Sequence, residues 1–213
     1  MPCYNEEQGL REVIRRLPGC VDEIVVADND STDRTAEVAA ELGARVVPEK
    51  RRGYGAAYKT GLAAATGDVI VTMDGDGTYP AEAIPELIDA LVDRRLDFLS
   101  AARFPLSDPR AMGATNRTGN WLLTFAALVL FGAKMVDSQS GMWVFRREVL
   151  GLIRPRSDGM PFSQEIKIEA IRHPRVRFGE QHIEYRPRIG EVKLRKWRDG
   201  WENVLFMIRM RCR

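Results

Sequence analysis

The chain has 213 residues, 45% hydrophobic and 29% charged, which supplies a sizeable core and excludes a disordered protein. Three cysteines, Cys3, Cys20 and Cys212, show neither metal-ligand spacing nor an even count, so a disulfide framework and a zinc module are both excluded and a reducing setting is expected. The formal charge of +2 hides an asymmetry: residues 1–145 carry 15 Lys+Arg against 21 Asp+Glu, whereas residues 146–213 carry 17 against 9, a balance that suits a phosphate-bearing substrate or an anionic membrane surface.

Leu10, Val13, Ile14 and Leu17 recur at helical spacing, Pro18-Gly19 stops that helix, and Glu23 to Ala27 reads as a buried strand. Asp28-Asn29-Asp30-Ser31-Thr32-Asp33 is the loop that follows, and its short polar side chains suit the cap of a helix continuing from Thr35 to Leu42. Ala44 to Val47 makes the next strand, Ala56, Ala57, Leu62 and Ala63 lie on the next helix, and Asp68 to Met73 is a strand again. Such alternation predicts an α/β fold, Rossmann-like, with a mostly parallel sheet, helices on both faces and ligands beyond the carboxyl ends of the strands. A fold of this kind starts with a strand leading into Pro2-Cys3-Tyr4-Asn5-Glu6-Glu7, and Met1 stands where that strand should finish. A first strand cut short, by a misassigned start or by trimming, is the expectation.

The strand at 68–73 runs into Asp74-Gly75-Asp76. Asp and Gly are ordinary turn formers, so the triplet reads either as a turn or as a cation site. Mg2+ and ions like it take oxygen ligands and bridge one or two carboxylates to substrate phosphates, so two acids at a sheet edge suit a nucleotide diphosphate. Downstream, Trp121 to Phe131 is apolar but shorter than the roughly 20 residues needed to span a bilayer; it reads as a core helix or as one lying in the membrane interface with Trp121 as anchor. Residues 195–213, with Trp197, Trp201, Val204, Leu205, Met207 and Ile208 ahead of Arg209, Arg211 and Arg213, form a basic amphipathic helix set apart from a domain at 1–194. No groove-reading or base-stacking motif surrounds these basic residues, which argues against nucleic acid. Glu165 and Glu169 read as a solvated stripe, and His173 and His182 as exposed.

Six segments occur in a distinctive order: Pro2 to Glu7, Asp28 to Thr35, Gly53-Tyr54-Gly55-Ala56-Ala57, Asp74-Gly75-Asp76, Asp137-Ser138-Gln139-Ser140-Gly141, and Tyr185 to Leu194. In that order they resemble the family 2 glycosyltransferases of GT-A fold, and within them the dolichyl- and polyprenyl-phosphate sugar transferases. The resemblance implies that Pro2, Tyr4, Glu6, Asp28 and Asp30 surround a nucleotide's base and ribose, UDP- or GDP-linked. It implies that Asp74 and Asp76 hold Mg2+ or Mn2+ and the diphosphate, with Thr78 standing where the family often has a glutamine ligand. Gly53 and Gly55 would let the backbone approach the ligand, with positive charge from Lys59 or Arg52. Arg103 and Arg117 resemble phosphate-holding arginines, and Arg188 and Lys193 lie in the carboxyl-terminal motif, all four on the acceptor side. Asp137 is then a general base for a saccharide hydroxyl, a positioning residue for a polyprenyl phosphate, or the cap of its own turn. Asp76, Asp137 and Arg117 are the expected catalytic set. The implied function is metal-dependent, inverting hexosyl transfer to a polyprenyl phosphate at the inner, cytoplasmic face of the cell membrane by a peripheral enzyme; a family 2 transferase acting on a saccharide hydroxyl and an inactive nucleotide-sugar-binding scaffold are the alternatives. Oligomeric state is not legible.

Overall fold

The computed structural model describes residues 1–190 and 196–212, with backbone alone at 196–199. Lys193, and with it the end of the last motif, the boundary at 194 and the side chain of Trp197, lies outside the described residues.

Strands and helices alternate: β1 (Pro2–Cys3), α1 (Glu7–Arg15), β2 (Val25–Asp28), α2 (Thr35–Glu41), β3 (Arg45–Pro48), α3 (Tyr54–Ala64), β4 (Val69–Thr72), α4 (Ile84–Asp93), β5 (Phe98–Ala102), α5 (Ala114–Phe131), β6 (Trp143–Arg146), α6 (Phe162–Arg172), β7 (Phe178–His182) and α7 (Lys196–Arg211). The strands form two groups, β1-β2-β3, all parallel, and β4-β6-β5-β7. β1 is short, with Pro2 opposite Ala27 and Cys3 opposite Asp28, and Met1 prolongs the ladder through its ammonium to Val25 O at 2.8 Å.

One strand departs from the expected parallel pattern. β6 runs antiparallel between β4 and β5, pairing Thr72 and Ser100 with Trp143, while β5 and β7 are parallel. Parallel strands deliver their trailing loops to one edge; an antiparallel strand delivers the loop that precedes it. β6 therefore brings the Asp137–Gly141 loop to the same edge as the residues following β4 and β5.

The period of two along β5 and β6 sorts the core onto two faces. Phe98 and Phe145 stack at 5.2 Å and join Trp143, Tyr58, Phe162 and Ile166 under α3 and α6. Leu99 and Val144 turn to Ile84, Leu87 and Leu91 of α4 and to Val13 of α1. α5 is neither a fully buried core helix nor a span: Leu123 and Ala127 pack with Ile168 and with Met207 of α7, while Trp121 (64% exposed), Leu122, Phe125 and Val129 face outward. No helix among the described residues is long and apolar enough to cross a membrane.

Candidate active site

β4 ends at Thr72, and the next few residues place Asp74 and Asp76 at the carboxyl edge. The Tyr54 hydroxyl, from the first residue of α3, donates to Asp74 Oδ1 at 3.1 Å. Burial above all, and then the charge of Asp76, push the Asp74 carboxyl up to about 7. Asp76 is nearly inaccessible; its Oδ1 accepts from Thr78 N (3.0 Å) and Thr78 Oγ1 (2.7 Å), and its Oδ2 from Arg188 Nη1 at 2.6 Å. Thr78 thus orients the second acid through its hydroxyl. Arg188 also pairs with Glu6, so a single guanidinium bridges the loop after β1 and the loop after β4. Its segment is laid along that loop by backbone bonds from Arg186 N to Thr78 O and from Ile189 N to Asp76 O, both 2.9 Å.

These donors fit a hard divalent ion. The charge of Asp76 raises Asp74, a repulsion that a doubly charged cation relieves, and Asp76 already holds a cationic group. No cluster of three or more His, Cys, Asp or Glu suited to a metal occurs among the described residues, so the pair would offer two ligands and substrate oxygens or water would have to supply the others.

A second group lies beyond β1 and β2. Arg52 places its guanidinium carbon 4.2 Å from the Tyr4 ring centroid and reaches Asp30 at 3.2 Å. Asp30, exposed, adopts φ +63°, and Asp28 Oδ2 accepts from Ser31 N at 3.3 Å. Pro2 lies in β1, half-buried, and Asn29 buries its amide to bind Glu49 O, Arg51 O and Gly53 N, joining this group to the start of α3.

Several expected roles change. Gly53 and Gly55 are approached by the chain itself: a Cβ on either would overlap a carbonyl oxygen of the 157–158 loop, and Gly53 also holds φ +149°. Replacing Gly55 with alanine should therefore cost about 1–3 kcal/mol in urea unfolding, through overpacking. Lys59 is spent on the same loop, at 2.6 Å from Asp158 Oδ1 and 3.0 Å from Arg156 O, instead of standing free for phosphate. Glu165 and Glu169 are not a solvated stripe. Glu165 is 1% exposed and accepts from Arg156 N and Ser157 N at 2.9 and 2.8 Å, while Glu169 accepts from Arg154 N at 2.5 Å. His182 is exposed and lies 2.7 Å from Pro105 O.

Asp137 and Arg103, placed on the base and acceptor-phosphate sides by resemblance, hold each other. Arg103 Nε and Nη2 meet the Asp137 carboxylate at 2.7 and 2.8 Å, and Arg103 N adds a third bond at 3.0 Å. Burial raises the Asp137 carboxyl, but the charge and bonds of Arg103 outweigh it and hold the group down at about 2. Such a carboxylate is a poor proton acceptor near neutrality. It also caps its own turn, accepting from Gln139 N at 3.2 Å. Arg117 lies exposed on the first turns of α5.

Tyr79, Tyr58 and Lys167 were not singled out by motif. Tyr79 and Tyr58 clamp Gly141, the first through its N–H (2.7 Å) and the second through its carbonyl (2.8 Å). For Lys167 a signal was present, since it falls in phase with Ser163, Ile166 and Ala170 on the inward side of α6.

The model of glycosyl transferase family 2 matches residues 1–153. The chain belongs to glycosyl transferase family 2. This family 2 transferase is 37% identical over 216 residues to the low-salt glycan biosynthesis hexosyltransferase Agl6 of Haloferax volcanii, covering 98% of the chain and 52% of that protein, so it spans about half that relative's length. It is 36% identical to the dolichyl-phosphate hexose transferase of the same organism, over 94% of the chain and 87% of the relative. Among solved structures it resembles glucosyl-3-phosphoglycerate synthase from Mycobacterium tuberculosis in complex with Mn2+, UDP and glucosyl-3-phosphoglycerate, at TM-score 0.76 and 25% identity, over 99% of the chain and 77% of that structure. The GT-A type of α/β fold expected from the motifs is the one found.

Proposed function

We propose that this chain carries the catalytic domain of a metal-dependent, inverting hexosyltransferase that moves a hexose from a nucleotide diphosphate sugar to a polyprenyl phosphate. The observation that carries the reading is the Asp74/Asp76 pair at the end of β4, with Asp74 half-buried and pushed up to about 7 and Asp76 buried on a guanidinium. A divalent cation bound there, Mg2+ or Mn2+, supplies the positive charge that stabilises a departing diphosphate. Around it Tyr54 and Thr78 orient the two acids, Glu6 and Asp76 share Arg188, and Tyr4, Asp30 and Arg52 offer a stacking face and acceptors to a base and ribose.

Acceptor chemistry follows from charge. A phosphate monoester loses its second proton near pH 6, roughly, so it is already nucleophilic at neutrality and needs cations more than a base. Asp137, locked to Arg103, favours that acceptor over a saccharide hydroxyl. Arg117 is the cation proposed for the acceptor phosphate, since Arg188 is already shared by Asp76 and Glu6. The outward apolar stripes of α5 and α7, with Trp121 and Trp201, support attachment to an anionic membrane surface, and the name of one Haloferax relative, dolichyl-phosphate hexose transferase, supports the lipid acceptor. Labelled nucleotide sugars incubated with the protein, Mn2+ or Mg2+ and polyprenyl phosphate should yield a chloroform-soluble product. No such product with UDP- or GDP-linked hexoses, but label transferred to a free saccharide, would move the assignment to the hydroxyl acceptor.

A further inference from the structure

Among the described residues, a lysine is the most completely buried cation outside the groups already given a role. The side chain of Lys167, on α6, is inaccessible, and its Nζ donates to Asp137 O and Ser140 O at 2.9 Å each while lying 6.0 Å from the Trp143 ring centroid. Ser140 O takes two more donors, Trp143 Nε1 at 2.8 Å and Ser163 Oγ at 2.9 Å. Carbonyl oxygens have two lone pairs, so three donors on one mark a tightly fixed point.

That point adjoins the acid pair. Gly141 follows Ser140 and lies against Asp74 so closely that a Cβ there would stand 3.3 Å from both carboxylate oxygens and overlap the Tyr54 hydroxyl. At the other end of the loop Asp137 holds Arg103. One ammonium therefore ties both ends of the Asp137–Gly141 loop to α6.

Keeping a charge there opposes folding, since burial drives the Lys167 ammonium down to about 7 despite the neighbouring Asp137. Were the position only to be filled, an unbranched apolar side chain would occupy the same space without that desolvation. We infer that Lys167 is a positioning residue, which fixes the Asp137–Gly141 loop against Asp74 and thereby sets the geometry in which the acid pair takes a divalent cation. The inference rests on the reading of Asp74 and Asp76 as the metal-holding pair.

The test is a titration of Mn2+ alone into the 213-residue chain, followed by loss of the free-ion electron paramagnetic resonance signal, with folding monitored by circular dichroism. Lys167→Met and Lys167→Gln are compared with Leu91→Ala, a destabilising cavity in α4, outside both the Asp137–Gly141 loop and α6. Both Lys167 variants should bind Mn2+ about 10-fold more weakly, the size of effect seen when groups that orient metal ligands are removed, and Leu91→Ala should bind as the wild type does. Using two Lys167 variants keeps the comparison open if one does not fold. Unchanged affinity in a folded Lys167 variant, with the wild type binding Mn2+, overturns the role of Lys167 alone; equal weakening in Leu91→Ala does the same. No uptake by the wild type overturns the metal-holding reading as well.

Discussion

Replacing Asp76 with alanine should lower kcat of sugar transfer by about a hundred- to a thousandfold, in a protein that still folds. The expectation follows from what the carboxylate does. One oxygen is aimed by the N–H and hydroxyl of Thr78, and the other meets Arg188, which also pairs with Glu6. On the proposed reading, alanine removes a cation ligand together with the ion pair from Arg188 to this loop, so diphosphate neutralisation is lost. Asp76→Asn tests the charge apart from the shape: the amide keeps an acceptor for Thr78 but loses the negative charge that both a cation and Arg188 would meet. Turnover in Asp76→Asn should fall nearly as far as in Asp76→Ala. Retention of turnover within a few-fold in either variant would remove Asp76 from the chemistry.

Replacing Asp137 with asparagine should cost about 3–5 kcal/mol of stability, the penalty for stranding a buried charge partner. Arg103 is buried, and Asp137 supplies its two charge-assisted bonds on one edge and a bond to its backbone N–H, with Asn120 Oδ1 a long 3.4 Å away. Urea unfolding measures the loss. The pair also sets a pH dependence. Because the Asp137 carboxyl sits at about 2 when folded against 3.8 ordinarily, its stabilisation is fully present above 3.8 and disappears as pH falls through about 2. The amount is about 2 kcal/mol, and Asp137→Asn should abolish that part of the acid dependence. A variant that unfolds within about 1 kcal/mol of the wild type, yet loses turnover by orders of magnitude, would restore Asp137 as a base and favour a hydroxyl acceptor.

Much of the donor side was legible because it is written locally. An apolar run that ends in two acids needs only strand length to place Asp74 and Asp76 at an edge, and the Asp28–Asp33 cluster announces itself as a loop by composition. The remainder depends on contacts that no window contains. Glu6 and Arg188 are 182 positions apart, and Arg103 and Asp137 are 34 apart on either side of α5. Local patterning does not give a four-residue strand its direction, so the antiparallel run of β6, which carries the Asp137 loop to the site, was out of reach. Glu165 looked solvated because the 154–158 loop that buries it comes from before its helix, and the same loop explains Gly53, Gly55 and Lys59 by contacts within the chain. Lys167 was the exception. Its inward phase on α6 was visible, and a charged residue at such a position signals a buried polar contact.

The most direct test of the account is calorimetric binding of UDP and GDP with Mn2+ and with chelator, in the wild type and in Asp76→Ala. A cation seated between the two aspartates and a diphosphate requires that at least one of these nucleotides bind in the presence of Mn2+, and that this binding be lost with chelator and in the variant. Nucleotide affinity that is equal with and without the metal, or equal in Asp76→Ala, would contradict it.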